Sequence, residues 1–278
     1  MQFGISTHLY HDQRLGRDHL AQIAGYGFEV VELFATRSHF DYHDPAAVEQ
    51  LAGWLAETRL GVHSIHLPIF ERYGPGGPGT TFSIASVDGA RRQAAVREAD
   101  AAIGVLERIP AKFVVAHLGA PAPYAGPNDN NRAAASRSIE EICRRAEPLG
   151  ARVAMEVIPN SLSSASALVT MIERDFDGSS VGICLDFGHA HLAGDLADEI
   201  EVSAEHLITT HVHDNRGRED DHLVPYQGTI NWPAAIVTML KIGYEGAYIL
   251  ELANAGSPTA ILEEARRARQ RIERALAD

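Results

Sequence analysis

Short apolar runs alternate with helical patterns along the chain. Eight runs of four to six residues are rich in β-branched and other apolar side chains, and they span 2–6, 30–33, 62–66, 113–117, 152–156, 181–186, 208–212 and 248–252. Runs this short and this apolar are typical of strands with both faces buried, as in a parallel sheet covered by helices. The pattern therefore predicts eight buried parallel strands.

Stretches with helical spacing of apolar residues separate these runs. One begins at Asp44-Pro45, an N-cap side chain followed by a proline at the first helical position, and ends at Gly61. The predicted helices span 17–28, 44–61, 88–109, 131–150, 163–174, 195–206, 232–244 and 259–278. Eight strand–helix units favour a single-domain α/β fold, a (β/α)8 TIM barrel over residues 1–278, rather than an open doubly wound sheet. No G-x-G-x-x-G follows the first strand, so a dinucleotide-binding domain is not predicted.

Composition and charge restrict the class of protein. Hydrophobic residues make up 45% of the 278 residues and the net charge is −13, which disfavours a broad basic surface for nucleic acid or anionic membranes. The first residues, MQFGISTHLYHD, lack the pattern of a secretory signal, and no apolar run is long enough for a membrane span. Cys143 and Cys184 lie too far apart for a CxxC site. We expect a soluble cytoplasmic protein.

Two connections are longer than the others. Residues 71–86 follow the third predicted strand and residues 118–131 follow the fourth, and both segments are rich in Gly, Pro and Asn. Barrel enzymes place their chemistry on the carboxyl side of the strands, where these connections lie. A substrate-covering loop and a tolerated surface insertion explain each of them equally well.

Six consecutive predicted strands end in a side chain that commonly binds metal. Each follows apolar neighbours, and the six are His66, His117, Glu156, Asp186, His211 and Glu251. A carboxylate buried at a strand end costs several kcal/mol unless it is paired or bound to a metal. One such residue is explained by a structural hydrogen bond. Six of them converge towards one axis when the barrel closes, so the sequence predicts a shared metal centre.

The segment THVHDNRGREDDH, residues 210–222, concentrates histidines and acids around the seventh strand end. His211 and His213 are two apart and share a face of an extended strand, so His213 is expected to orient a neighbour or the substrate. Asp214-Asn215 predicts a turn. Asp220 and His222 form a D-x-H pair, although the acidic run around Asp220 is by itself typical of a solvated loop.

A second pair of candidate ligands follows the sixth strand. Asp186 and His189 form a D-x-x-H in CLDFGHAHLAGD, where a turn in the loop is able to point both side chains into the barrel mouth. His191, two residues further on, is expected at a helix start or on the surface.

The chain resembles the xylose-isomerase-like barrel superfamily, which includes sugar isomerases and epimerases and, as a branch, endonuclease IV. The resemblance covers nearly the whole chain and is most specific in MEVIPN, CLDFGHAH, HVHDN followed by GTINWPAAI, and GYEGAYILEL. In the epimerases, one divalent ion is held from strands five to eight, and the matching positions are Glu156, Asp186, His211 and Glu251. In endonuclease IV, five more ligands complete a three-zinc cluster, matched here by His66, His117, His189, Asp220 and His222.

The resemblance to the epimerases implies an isomerase or epimerase of a small sugar or keto-polyol. Glu156 and Glu251 would exchange protons with the substrate carbons beside a carbonyl, and a bound ion would stabilise the enediolate. Mn²⁺ is the first choice, and Mg²⁺, Co²⁺ or Zn²⁺ suits the same ligands. His189 resembles a substrate-oxygen contact, and Arg218 is a further candidate for substrate binding. Dehydration of a keto-polyol shares the first step, and residues 225–228 (PYQG) depart from the P-G-x-G of the isomerases.

The resemblance to endonuclease IV implies a zinc phosphodiesterase that cuts abasic DNA with all nine ligands. That activity needs loops that grip phosphates, whereas Arg216 and Arg218 are offset by three neighbouring acids. The sequence therefore favours a small carbohydrate over nucleic acid as partner. A non-catalytic binding barrel is least favoured, because it has no need of two buried glutamates. A homo-oligomer, the exact substrate and its phosphorylation state stay open.

Overall fold

The eight predicted strands form one closed parallel barrel in the order β1 to β8. The structure is a computed structural model, and it describes residues 2–74, 77–121, 125–126, 128–176 and 180–277. The strands are β1 (Gln2–Ser6), β2 (Val30–Phe34), β3 (Gly61–His66), β4 (Phe113–Ala116), β5 (Arg152–Glu156), β6 (Val181–Asp186), β7 (Leu207–Val212) and β8 (Ala247–Leu250). The predicted single-domain TIM barrel is confirmed.

Helices cover the outside of the barrel, so each strand is buried on both faces. Those in the described residues are α1 (Arg17–Gly25), α2 (Pro45–Thr58), α3 (Gly89–Gly104), α4 (Arg132–Ala146), α5 (Ala165–Asp175), α6 (Phe187–Ala193), α7 (Leu196–Ser203), α8 (Trp232–Lys241) and α9 (Pro258–Ala277). Short 3-10 turns occupy Thr7–Tyr10, Val105–Glu107 and Glu147–Leu149. No described helix has the length and hydropathy needed to cross a membrane.

Side-chain caps explain where several helices begin. Asp44 accepts a hydrogen bond from the Ala46 amide at 2.9 Å, with Pro45 at the first helical position, as the sequence predicts. The predicted helix 88–109 ends as an α-helix at Gly104, and its last turn tightens into the 3-10 turn Val105–Glu107.

The sequence predicted a loop after β6, and the structure places helix α6 there. Asp186 ends the strand, and its side chain accepts a hydrogen bond from the His189 amide at 2.7 Å. That N-cap begins the helix one residue after the strand, so a residue predicted only as a metal ligand also starts a helix. His191 lies in the last turn of α6 rather than at its start.

The long connections after β3 and β4 both border the carboxyl end of the barrel. Within the first, Phe70 and Thr81 form an antiparallel bridge, and the Phe82 amide donates to the Ile69 carbonyl at 2.9 Å. Residues 75–76 of this connection and residues 122–124 and 127 of the second lie outside the described residues. The described part of the first connection is therefore a folded hairpin over the barrel mouth.

Candidate active site

Four side chains from adjacent strands meet at the carboxyl end of the barrel. One ligand atom from each residue lies within 4.8 Å of the others, and the four are Glu156, Asp186, His211 and Glu251, which we call the primary group. Nδ1 of His211 lies 3.2 Å from Oε1 of Glu156 and 3.3 Å from Oε2 of Glu251. All four residues are buried.

Strand register explains this convergence. Asp186 and His211 are paired across β6 and β7, while Glu156 is paired with Cys184 across β5 and β6. Glu251 follows the last residue of β8, and its amide donates to the Val212 carbonyl at 3.3 Å. Consecutive parallel strands therefore bring residues that are distant in sequence to one end of the barrel.

Glu156 also belongs to a second group with two histidines from earlier strands. Its Oε2 lies 3.1 Å from Nε2 of His66 and 3.0 Å from Nε2 of His117. The ligand atoms of His66, His117 and Glu156 lie within 4.8 Å of one another. His117 is the residue after β4 rather than its last residue, and this position keeps its ring in the barrel mouth.

The loop after β7 folds back to bring Asp220 into a third group. Oδ2 of Asp220 lies 3.0 Å from Nε2 of His189 and 3.1 Å from Nε2 of His222. His213 completes the group, because the ligand atoms of all four residues lie within 4.8 Å of one another. The acidic run is exposed as expected, with 36% of the Asp220 side chain accessible, but the Asp220 carboxylate faces these imidazoles. His213 also contacts the primary group, with Nε2 3.1 Å from Oδ2 of Asp186.

The pair Asp214-Asn215, predicted as a turn, is a buried anchor for the loop. Oδ1 of Asp214 accepts from the Ile230 amide at 3.1 Å, and Oδ2 accepts from the Trp232 indole at 2.8 Å. The Asn215 and Tyr226 amides also donate to this carboxylate, at 2.9 and 3.0 Å. These bonds connect β7 to the start of α8 and define the path of the chain between them.

Burial and neighbouring charges shift the pKa values of the site's carboxylates and imidazoles in opposite directions. Burial raises the pKa of Glu156, but His117 and His211 outweigh that effect and hold it well below its ordinary value. Burial lowers the pKa of His211, but Glu32, Glu251 and Glu156 outweigh it and raise the pKa well above the usual value. Burial likewise lowers the pKa of His222, and Asp220 reverses the effect, so that it rises to about 9. These opposite shifts share one cause, the close approach of imidazole and carboxylate groups at the barrel mouth.

The donor set of the primary group suits a divalent cation. Three carboxylates and one imidazole provide the oxygen and nitrogen ligands that Mn²⁺, Mg²⁺, Co²⁺ and Zn²⁺ accept. The buried carboxylates need compensating positive charge, which a divalent cation would supply. The residues present therefore fit a metal ion.

Two site residues were not predicted from the sequence. Glu32, in the middle of β2, is fully buried, with Oε2 3.0 Å from Nε2 of His211. His8, in the 3-10 turn after β1, lines the cavity above the site and stacks on His222 with ring centroids 4.9 Å apart. The acid within the apolar run VVEL was the available signal for Glu32. No local pattern pointed to His8.

A cavity of about 440 Å³ lies above these groups. Its floor includes Glu156, His189 and Glu251, and its walls include apolar side chains from β2 and the hairpin after β3: Phe34, Ile69, Phe70, Tyr73 and Phe82. No lysine or arginine lines it among the described residues. Arg218 is exposed and lines a separate surface depression with Arg216, Gln227, Gly228 and Thr229.

A family model described as the xylose isomerase-like TIM barrel matches residues 20–274. The chain belongs to this family, which confirms the superfamily that the sequence motifs indicated. Similar proteins carry the same fold over their whole length. A D-tagatose 3-epimerase-like protein superposes with a TM-score of 0.79 at 22% identity, covering 100% of this chain and 97% of that one.

Two curated relatives align over most of the chain. Fructoselysine 3-epimerase of Shigella flexneri is 25% identical over 277 residues, which cover 94% of this chain and 93% of that protein. An uncharacterized protein of Methanocaldococcus jannaschii is 27% identical over 266 residues, covering 91% and 84% of the two chains. The relatives with a stated activity therefore include a sugar epimerase.

Proposed function

We propose that this protein is a divalent-metal-dependent isomerase or epimerase of a small sugar or keto-polyol. The observation that carries the proposal is the pair of buried glutamates at the cavity floor. Glu156 and Glu251 approach the same imidazole nitrogen of His211, at 3.2 and 3.3 Å. Two carboxylates that converge on one point from different strands are suited to removing a proton and returning it at one substrate carbon or at its neighbour.

The chemistry is a proton transfer beside a carbonyl. One glutamate removes the proton from the carbon next to the carbonyl, and the other delivers a proton to the opposite face of that carbon or to the adjacent atom. A divalent ion held by the primary group would polarise the carbonyl and stabilise the negative charge of the enediolate. Mn²⁺ is our first choice, with Mg²⁺, Co²⁺ or Zn²⁺ as alternatives that the same donors accept.

The cavity supports a substrate without a phosphate group. Its described lining has no lysine or arginine to neutralise a phosphate, and much of its wall is apolar. His189 lies at the floor and is the proposed contact to a substrate oxygen, whereas Arg218 lies outside this cavity and is not part of the proposal. The activity named for fructoselysine 3-epimerase fits such a keto-sugar substrate. A lyase that dehydrates a keto-polyol shares the first proton transfer and is the nearest variant.

A zinc phosphodiesterase is the second candidate, and one observation favours it. All nine predicted ligands lie in three groups, with Glu156 shared by two of them. Phosphodiester cleavage at several metal ions uses such clusters to activate water and bind phosphate. The absence of lysine and arginine from the described cavity lining and the net charge of −13 favour the isomerase.

Solvent exchange tests the proposed activity. In deuterated water with Mn²⁺, the protein should incorporate deuterium beside the carbonyl of its substrate within a panel of ketoses and keto-polyols. Glu156→Gln and Glu251→Gln should each abolish this exchange, while Glu29→Gln at an exposed position should preserve it. If no panel member exchanges and an abasic duplex is cut instead, the phosphodiesterase assignment replaces this one.

A further inference from the structure

Glu32 is a buried carboxylate that the proposed proton transfer does not use. It lies at the third position of β2 and is 0% exposed inside the barrel. Its Oε1 has no hydrogen-bond partner among the described residues, so Oε2 makes the contacts that offset burial. Ser64 of the neighbouring strand donates to Oε2 at 2.8 Å, and the register pairs these two residues.

The other contact of Glu32 crosses the barrel. Oε2 lies 3.0 Å from Nε2 of His211, which is on β7 and 179 residues away in sequence. The opposite ring nitrogen, Nδ1, faces the carboxylates of Glu156 and Glu251. Nε2 of His211 therefore faces Glu32, and Nδ1 faces the primary group.

A neutral imidazole carries one proton and one lone pair. If Nε2 donates its proton to Glu32, Nδ1 presents its lone pair to the primary group. A carboxylate behind a ligating histidine selects the tautomer, holds the ring plane and increases the basicity of the ligating nitrogen. We propose that Glu32 is a positioning residue that holds His211 in its Nε2–H tautomer for metal binding through Nδ1.

This role of Glu32 rests on the proposed metal dependence, and it explains how the ligand His211 is oriented. The Ser64 hydroxyl donates a hydrogen bond to Glu32, so the carboxylate is already oriented towards His211 before a metal binds. Glu32 takes no part in proton exchange with substrate, because it does not line the cavity.

Zinc titration of the full chain against a chromogenic chelator tests the inference. Glu32→Gln should weaken Zn²⁺ binding by roughly 10- to 100-fold, the range seen when such a supporting carboxylate is changed. Glu29→Gln, an exposed substitution near the start of the same strand, should leave the affinity unchanged. Equal Zn²⁺ affinity of the native protein and folded Glu32→Gln would overturn the role of Glu32 alone. A native protein that binds neither Zn²⁺ nor Mn²⁺ would overturn metal dependence as well.

The tautomer of His211 gives a second measurement, which would not change if Glu32 had only a structural role. In ¹⁵N-histidine-labelled native protein loaded with Zn²⁺, the His211 spectrum should show the proton on Nε2 and the metal on Nδ1. The reverse assignment would overturn the inference even if Glu32→Gln failed to fold. Ser64→Ala should preserve the tautomer and weaken binding less than Glu32→Gln, because Glu32 keeps its contact with His211.

Discussion

The carboxylate of Asp220 lies 3.0 Å from Nε2 of His189, and this contact joins the loop after β7 to helix α6. The same oxygen lies 3.1 Å from Nε2 of His222. Residues 216–220 of the 210–222 segment are exposed, yet the Asp220 carboxylate turns back to the histidines beside the primary group. This geometry makes the number of bound ions the measurement that distinguishes the two candidate functions.

Metal analysis of variants separates the primary group from the third group. His222→Ala should keep the ion of the primary group, because none of its four ligands is changed, whereas Glu156→Gln should bind that ion at least tenfold more weakly. Elemental analysis of dialysed protein gives the ratio of metal to chain. Three zinc ions per native chain, together with cleavage of an abasic duplex, would contradict the isomerase proposal.

The charge of His222 predicts a pH-dependent stability of the metal-free protein. Burial lowers the pKa of His222, but Asp220 outweighs it, and the folded pKa is raised to about 9. A raised folded pKa means that this stabilisation is fully present below the unfolded pKa of about 6.5 and is lost as pH rises through about 9. Thermal unfolding in chelator should therefore show a falling Tm between pH 7 and 10.

The His222→Asn variant supplies the comparison for that pH series. It lacks the titrating imidazole, so its Tm should fall less over the same interval. Parallel curves for the native protein and the variant would show that another group is responsible for the loss.

Gly188 is expected to be essential for the placement of His213. A Cβ built on Gly188 would fall on the imidazole of His213, whose Nε2 lies 3.1 Å from Asp186. Gly188→Ala should therefore displace His213 and weaken metal binding tenfold or more, read by the chelator titration. Gly194→Ala, just after the same helix, has open space and an extended φ of 172°, so it should bind metal like the native protein.

Asp214 should contribute to stability without any contact with metal. The Asp214 carboxylate accepts hydrogen bonds from three backbone amides and from the Trp232 indole. Asp214→Asn replaces this carboxylate with an amide, which donates hydrogen bonds on one side. A buried donor would then face another donor, and we expect a loss of about 2–4 kcal/mol in the free energy of unfolding. Urea denaturation measures it, with exposed Glu219→Gln as control. A change below about 0.5 kcal/mol in Asp214→Asn, the range of ordinary surface substitutions, would contradict this role.

Local patterns predicted the strands well because burial on both faces leaves a continuous apolar run. The predicted bounds of β1, β5 and β6 agree with the structure, while His117 and Glu251 lie one residue past their strands. Helix α6 was missed because it has only seven residues and its N-cap is Asp186, a residue whose side chain suggested a ligand rather than a cap. Short helices carry too few periodic positions to be recognised from sequence.

The choice of strand-end residues as candidates also explains what was overlooked. Glu32 is in the middle of its strand, and its partner His211 is on the opposite wall of the barrel. Arg218 was a further candidate for substrate binding, and the structure places it in a separate depression. Contacts across a barrel and the direction of a loop have no counterpart in local spacing.

The sequence by itself determined the strand–helix alternation and the ligand-type residues at six strand ends, because both depend on local periodicity and on which side chains tolerate burial. Only the tertiary structure decided that Glu156 is shared by two groups, that Asp220 turns towards His189, and that Glu32 reaches His211. Those relationships depend on barrel closure and on the loop path held by Asp214, which bring together residues that are far apart along the chain.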